Sequence, residues 1–261
     1  VSLERVESVD DSRLADYRDI ADGTLRARGG FAAESREVVR RLLRERRFRV
    51  RSVLVSDGSL AALRDDLDDT VRVLVAPQEV IRTVVGFNFH RGCMAIGERG
   101  PALGLGDVLA RGPRSLVVCE RVSNPDNVGG IFRNARAFGV GAVVLSPGSA
   151  DPLYRKVVRV SMGAALGVPF VDATDWPATL DRLRAAGFTI AALATRGGVD
   201  VETVPHAPRT AVLVGTEDDG LSDDALARVD VRVTIPMAPD VDSLNVVVAC
   251  GIALHRLCRA T

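Results

Sequence analysis

Ala211-Val-Leu-Val-Gly-Thr-Glu-Asp-Asp-Gly220 sets a short, uninterrupted apolar run against a polar loop bounded by glycines. A strand with one wet face alternates in polarity. A run that is apolar at every position belongs to a strand covered on both faces, the habit of parallel sheets. The same signature recurs at 116–119, Ala142–Leu145, Thr189–Leu193 and, less cleanly, Val231–Ile235. Stretches of helical character separate these runs, so residues 113–261 are expected to form a parallel-sheet α/β domain.

Upstream, a smaller α/β pattern occupies residues 1–98. From Glu34 the spacing of Val38, Val39, Leu42 and Leu43 predicts a helix. Strands are expected at Val50–Val55, Val71–Val75 and Cys93–Ile96, with helices over Leu60–Leu67 and Pro77–Val84. Residues 1–30 are polar, and Leu14, Ala15, Tyr17 and Ile20 offer only a short helical stripe. Gly97-Glu-Arg-Gly-Pro101 and the glycines at 104, 106 and 112 suggest a linker over 99–112.

Bulk properties narrow the class. The chain has 261 residues, 47% of them apolar and 26% charged, as in an ordinary globular protein. It shows neither an apolar run of membrane-spanning length nor a signal-peptide pattern, so a cytoplasmic protein without a membrane partner is expected. Cys93, Cys119, Cys250 and Cys258 form no CxxC pair and have no ligand spacing with the histidines, so buried thiols are expected and no metal. The formal net charge is zero, but Arg36 to Arg51 holds eight arginines against Glu37 and Glu45. Such a stripe, with Arg36, Arg40, Arg44 and Arg47 on it, attracts phosphates even in a neutral molecule. Asp65, Asp66, Asp68 and Asp69 form a compensating acidic patch nearby.

Three segments carry candidate chemistry. In the loop after Val214, Gly215 permits close approach to a ligand, Gly220 permits a turn, and Glu217 sits between them. After Ile235, Pro236 stops the strand, and the chain crosses Met237 to Ser243, expected to cap an apolar helix from Leu244 to Leu257. Asn245 then has its amide available for recognition. The first segment runs from Asn124 through Asn127, Gly129, Gly130, Arg133 and Ala135 to Gly139. There Pro125-Asp-Asn-Val-Gly129 reads as a turn, and Arg133 offers a planar array of donors to a phosphate or ribose. Dinucleotide, P-loop and nucleophile-elbow fingerprints do not occur.

In order, spacing and C-terminal position, these segments resemble the three motifs of the SpoU (TrmH-like) RNA ribose methyltransferases of the SPOUT superfamily. Phe31–Arg40 and Phe89–Gly92 resemble the limits of that family's substrate-binding domain. The resemblance implies a small RNA-binding α/β domain, a catalytic α/β domain with a trefoil knot, and a homodimer whose active site lies near the subunit interface. It implies transfer of a methyl group from S-adenosylmethionine to a ribose 2′-hydroxyl in ribosomal or transfer RNA. Asn127, Arg133, Glu217, Ser243 and Asn245 fall at the family's catalytic positions, and Gly215, Ile235, Met237 and Leu244 at its cofactor positions. The third motif commonly continues Asn-Val-Ser, whereas here Val247 follows Val246.

The family assigns its arginine as base, a role that Arg133 inherits. Because a guanidinium is a poor proton acceptor, Arg133 is expected to orient the ribose and its adjacent phosphate. The alternative from another class is a non-catalytic RNA-binding or ribosome-assembly factor that kept the fold. The intact Asn127, Arg133, Glu217 and Asn245 argue against it.

Overall fold

The computed structural model describes residues 2–18, 21–86, 92–216 and 219–258. It divides into two compact units, Val1–Pro101 with Leu153–Gly167, and Ala102–Pro152 with Val168–Thr261. No helix among the described residues is long and apolar enough to cross a membrane.

In the first unit, strands β1 (Ser2–Arg5), β2 (Gly30–Glu34), β3 (Val50–Val55), β4 (Arg72–Val75) and β5 (Cys93–Glu98) form one mixed sheet in the order β1-β4-β3-β5-β2. β4 pairs in parallel with β1 and β3, and β5 runs antiparallel to β3 and β2. Helices α1 (Asp22–Ala27), α2 (Arg36–Glu45), α3 (Asp57–Leu63) and α4 (Gln78–Val85) connect them. α2 buries the Val38, Val39, Leu42 and Leu43 stripe, as its spacing requires.

Among the described residues, the second unit is built on seven strands, all parallel. β6 (Ser115–Cys119), β7 (Ala142–Leu145), β8 (Phe170–Asp172), β9 (Thr189–Leu193), β10 (Val199–Asp200), β11 (Thr210–Val214) and β12 (Val231–Thr234) lie in the order β10-β12-β9-β11-β6-β7-β8. Its helices are α5 (Leu105–Ala110), α6 (Pro125–Ala137), α9 (Ala178–Ala185), α10 (Asp223–Leu226) and α11 (Val246–Leu257). Every residue of β6, β7 and β11 is buried, which is why those runs carry no polar alternation. The remaining helices, α7 (Arg155–Val160) and α8 (Ala164–Gly167), belong to the first unit.

The fold is thus mixed α/β with a parallel sheet, as expected, but several local readings change. Residues 1–30 hold β1 and a 3-10 turn at Ser12–Tyr17, whose Leu14 and Tyr17 are fully buried. Leu14 and Tyr17 of the short stripe thus join the first unit's core, the Tyr17 hydroxyl lying 2.7 Å from Ser52 Oγ, while Ile20 and Phe89, His90 and Arg91 lie outside the described residues. The expected linker 99–112 contains α5, which sinks Leu105 and Val108 into the second unit's core; the flanking glycines masked that short amphipathic pattern. The sequence division at 113 also leaves out a return of the chain. In Leu153–Gly167, α7 packs on β2 and α8 on α2, Arg41 Nη1 donates to the Met162 carbonyl at 2.9 Å, and Arg155 N donates to Asp22 at 2.9 Å. All four cysteines are free and buried, and desolvation pushes the Cys250 thiol up to about 12 and that of Cys258 to about 11.

Candidate active site

Strand pairing brings the ends of several apolar runs together. Val214 of β11 is in register with Cys119 of β6, Leu213 with Ala192 of β9, and Leu193 with Val233 of β12. Their carboxyl ends therefore form one edge, where open parallel sheets take their ligands. A cavity of about 420 Å³ lies there, of the size that small-molecule sites occupy. Gly215 from the second motif and Ile235, Met237, Ser243, Leu244 and Asn245 from the third all line it. Residues from the second and third motifs thus share one wall because β11 and β12, which flank β9, end at the same edge.

The loop after β11 folds back on itself. Thr216 pairs with Gly220, Thr216 N donating to the Gly220 carbonyl at 3.2 Å, and Gly220 adopts φ 68°. A Cβ on Gly215 would stand 2.5 Å from both the carbonyl carbon and the oxygen of Gly220, so only glycine allows the loop to close this tightly. Glu217 lies outside the described residues.

The third motif differs from its sequence reading at the helix cap. α11 starts at Val246, and Asn245, not Ser243, is its N-cap, with Oδ1 accepting from Val247 N at 2.9 Å. Ser243 is exposed two residues earlier. Asn245 is not idle either, because its Nδ2 donates to Asn127 Oδ1 at 3.2 Å. That bond joins the first and third motifs across the α6–α11 contact.

The first motif is helical from Pro125 to Ala137. Asn124 caps α6, accepting from Asp126 N at 2.9 Å, and Pro125 takes the first helical position, where its missing N–H costs nothing. What reads as a turn is therefore the first turn of a helix. Asn127 is buried, and Gly130 lies so close to α11 that an added Cβ would stand 2.6 Å from a methyl of Val247. Asn134 Nδ2 donates to the Val247 carbonyl at 2.7 Å. Val247, where the family commonly has serine, therefore serves as a packing residue between the two helices.

Arg133 is not gathered into this cluster. Six residues along a helix turn it by roughly 240° from Asn127, and it does not line the cavity. Its side chain is exposed and makes no ion pair or hydrogen bond among the described residues. The arginine stripe is likewise divided. Arg40 pairs with Asp66 at 3.0 Å and with Glu37 at 3.0 Å, and Arg44 pairs with Asp66 at 2.6 Å. Arg47 lies 4.8 Å over the Phe48 ring, while Arg36 stands exposed.

Glu120, directly after β6, escaped the sequence reading. It is 2% exposed and accepts from Trp176 Nε1 at 2.8 Å, Ser222 N at 2.9 Å and Ser222 Oγ at 2.6 Å. Ser222 in turn caps α10, so this carboxylate ties down the far end of the second-motif loop. The available signal was a charged residue abutting a wholly apolar strand just before the first motif.

The comparisons agree with this architecture. A profile of the SpoU rRNA Methylase family matches residues 114–255. An uncharacterized tRNA/rRNA methyltransferase of Mycobacterium tuberculosis is 40% identical over 262 residues, covering 96% of this chain and 90% of its own. A 23S rRNA (guanosine-2′-O-)-methyltransferase of Ralstonia nicotianae is 32% identical, covering 72% of this chain and 77% of its own. An AdoMet-bound rRNA methyltransferase from Sinorhizobium meliloti shares the fold, with a TM-score of 0.85 at 24% identity over 97% of each chain. Sheet order, cavity and matched motifs converge, and the chain belongs to the SpoU rRNA methylase family.

Proposed function

We propose that the cavity at the ends of β9, β11 and β12 holds S-adenosylmethionine and that the chain methylates a ribose 2′-hydroxyl of ribosomal or transfer RNA. The observation that carries this reading is the convergence of Gly215, Ile235, Met237 and Leu244 on one cavity beside the Asn127–Asn245 bond. The residues fit the group. Leu193, Val214, Leu221, Ile235 and Leu244 supply apolar walls for a flat purine and a thioether-like chain, and the closed Gly215–Gly220 loop leaves backbone groups at the rim. When bound, the cofactor supplies an already activated methyl group, so alignment is the main task left to the protein.

Asn245 fixes the start of α11 and, through Asn127, the start of α6, so the two polar segments keep one spacing. Arg133 orients the acceptor ribose through its phosphate, Ser243 acts from the cavity lining, and Glu217 keeps the catalytic part that the family's motif gives its position. Because Arg133 is exposed and does not line the cavity, its role fits a site completed by a second copy of this chain. Val248 and Ile252, one turn apart on α11 and 50% and 37% exposed, are suited to such a homodimer contact. A trefoil knot, a cytoplasmic location and an RNA-binding role for the first unit, with Arg36, Arg40, Arg44 and Arg47 on its surface, belong to the same reading.

The test is transfer of labelled methyl from S-adenosylmethionine to total RNA from a strain lacking this gene. Ribose-linked label that disappears with Arg133→Ala is the expected outcome. Absence of both label and cofactor binding by calorimetry would instead favour a non-catalytic RNA binder. Arg133→Lys should lose most single-turnover rate; full activity would remove the orienting role.

A further inference from the structure

Helices α6 and α11 meet along a seam whose contacts recur every four residues on both. Gly130 lies under Val247, Asn134 beside Gly251, and the Phe138 ring stands 6.0 Å from that of His255, edge to face. Because both series advance together, the helices run in the same direction and meet once per turn. Large and small residues change sides from layer to layer. A Cβ on Gly130 would stand 2.6 and 2.7 Å from the Val247 methyls, and one on Gly251 would stand 3.1 Å from Asn134 Nδ2. The Asn134 amide uses the approach that Gly251 allows, its Nδ2 donating to the Val247 carbonyl at 2.7 Å.

That alternation admits one register. Sliding α11 by a turn in one direction would set Gly251 opposite Gly130 and leave a void. Sliding it the other way would drive Val247 against Asn134. Register matters because two motifs ride on these helices. Asn127 and Arg133 stand on α6, while Asn245 caps α11 and bonds Asn127 at 3.2 Å. Arg133 adjoins Asn134 and lies about 100° round the helix from it. Asn134 faces α11, so its bond fixes the direction in which Arg133 projects.

We propose that Gly130, Asn134, Val247 and Gly251 lock the register of α6 on α11 and so hold Arg133 and Asn245 in the placement that methyl transfer requires. This rests on the reading of the chain as an RNA ribose methyltransferase and names positioning residues for that reaction. Gly130 and Val247 are a compensating pair within the lock. Valine stands where the family commonly has serine because α6 offers a glycine to receive its two methyls.

The test is single-turnover transfer of labelled methyl from S-adenosylmethionine to total RNA from a strain lacking this gene. Enzyme and cofactor are in excess, at a temperature where circular dichroism shows each variant folded. Gly130→Ala must part the helices by about 1 Å, since carbon contacts settle near 3.5–4.0 Å. A misplacement of that size should slow transfer about 100-fold. Val247→Ser alone uncovers Gly130 and should be slower than wild type, although it restores the family's serine. Added to Gly130→Ala, it leaves a single γ atom that can turn away from the new methyl. The double variant should therefore regain at least about tenfold over Gly130→Ala, the non-additivity of residues in contact. Asn134→Asp keeps the shape but sets an acceptor against the Val247 carbonyl, and should slow transfer about tenfold. Cofactor affinity by calorimetry should fall far less than the rate, since α6 does not line the cavity. Gly106→Ala on α5, whose added Cβ meets nothing within 4 Å, is the control and should leave the rate unchanged.

Folded Gly130→Ala and Asn134→Asp proteins that lose only thermal stability and transfer methyl at the wild-type rate overturn the proposal. A double variant no faster than Gly130→Ala overturns it equally. Should Gly130→Ala fail to fold, Asn134→Asp and a double variant close to the wild-type rate decide the matter. A wild type that neither transfers methyl nor binds the cofactor would overturn the methyltransferase reading together with this one, whereas the other outcomes overturn this proposal alone.

Discussion

Replacing Gly215 with alanine tests the geometry on which cofactor binding depends. The added Cβ would stand 2.5 Å from the Gly220 carbonyl carbon and oxygen and 2.8 Å from Leu221 N, all backbone atoms that cannot rotate away. Carbon contacts settle near 3.5–4.0 Å, so the loop must retreat by about 1 Å. Overpacking of this kind costs about 1–3 kcal/mol. Retreat also stretches the 3.2 Å Thr216–Gly220 bond beyond useful length, a further loss of about 1 kcal/mol. The sum, about 2–4 kcal/mol, corresponds to roughly 30- to 1000-fold in S-adenosylmethionine affinity if it falls on the binding-competent loop.

Calorimetry reads that loss directly, and urea unfolding followed by the single tryptophan, Trp176, reports on the second unit's stability. Gly139→Ala is the control for backbone strain alone. Gly139 has φ 66° with nothing within 4 Å of an added Cβ, so it should lose about 1–2 kcal/mol of stability and leave cofactor affinity unchanged. If Gly215→Ala bound S-adenosylmethionine within threefold of wild type, the loop-closure argument would be refuted.

Glu120→Ala should cost about 2–4 kcal/mol in the same urea assay, since it strands the Trp176 and Ser222 donors, and should shift Trp176 emission; an unchanged spectrum would count against the anchor. Asn245→Ala should lose about 1–2 kcal/mol through the missing helix cap, and Asn245→Asp should recover most of it by restoring the acceptor for Val247 N; equal losses would contradict that division. Hydrogen bonds from Arg72 and Arg13 hold Glu4 down to about 2, and Arg13 does the same for Asp11. Depressed carboxylates contribute stability above their ordinary values and lose it as pH falls towards 2, so the first unit should melt progressively lower between about pH 4.5 and 2. Glu4→Gln should flatten part of that decline in circular-dichroism melts, by a modest, salt-sensitive amount because the ion pairs of Glu4 lie at the surface.

Local sequence determined the inner strands β6, β7, β9 and β11 of the second unit, because burial on both faces leaves little room for polar alternation. Ala142–Leu145 and Thr189–Leu193 are legible to the residue. It also located the three motifs, whose glycines, proline and asparagines stand where strands end and helices begin. Short or singly anchored elements were not legible, since β8, β10 and α5 offer too few residues for a periodicity to emerge.

Pairing across long separations belongs to tertiary structure alone. No pattern within either motif distinguishes Ser243 from Asn245 as the cap of α11; Asn245 is chosen where its amide also meets Asn127, 118 residues away. The third motif by itself does not reveal that Val247 packs against Gly130 of α6. Asn127 and Arg133 belong to one motif, and only the helix they share sets their side chains in different directions. Leu153–Gly167 leaves its sequence neighbours for the first unit because its apolar side chains find their burial against β2 and α2. Sequence states which surfaces must be covered, and only the folded chain states what covers them.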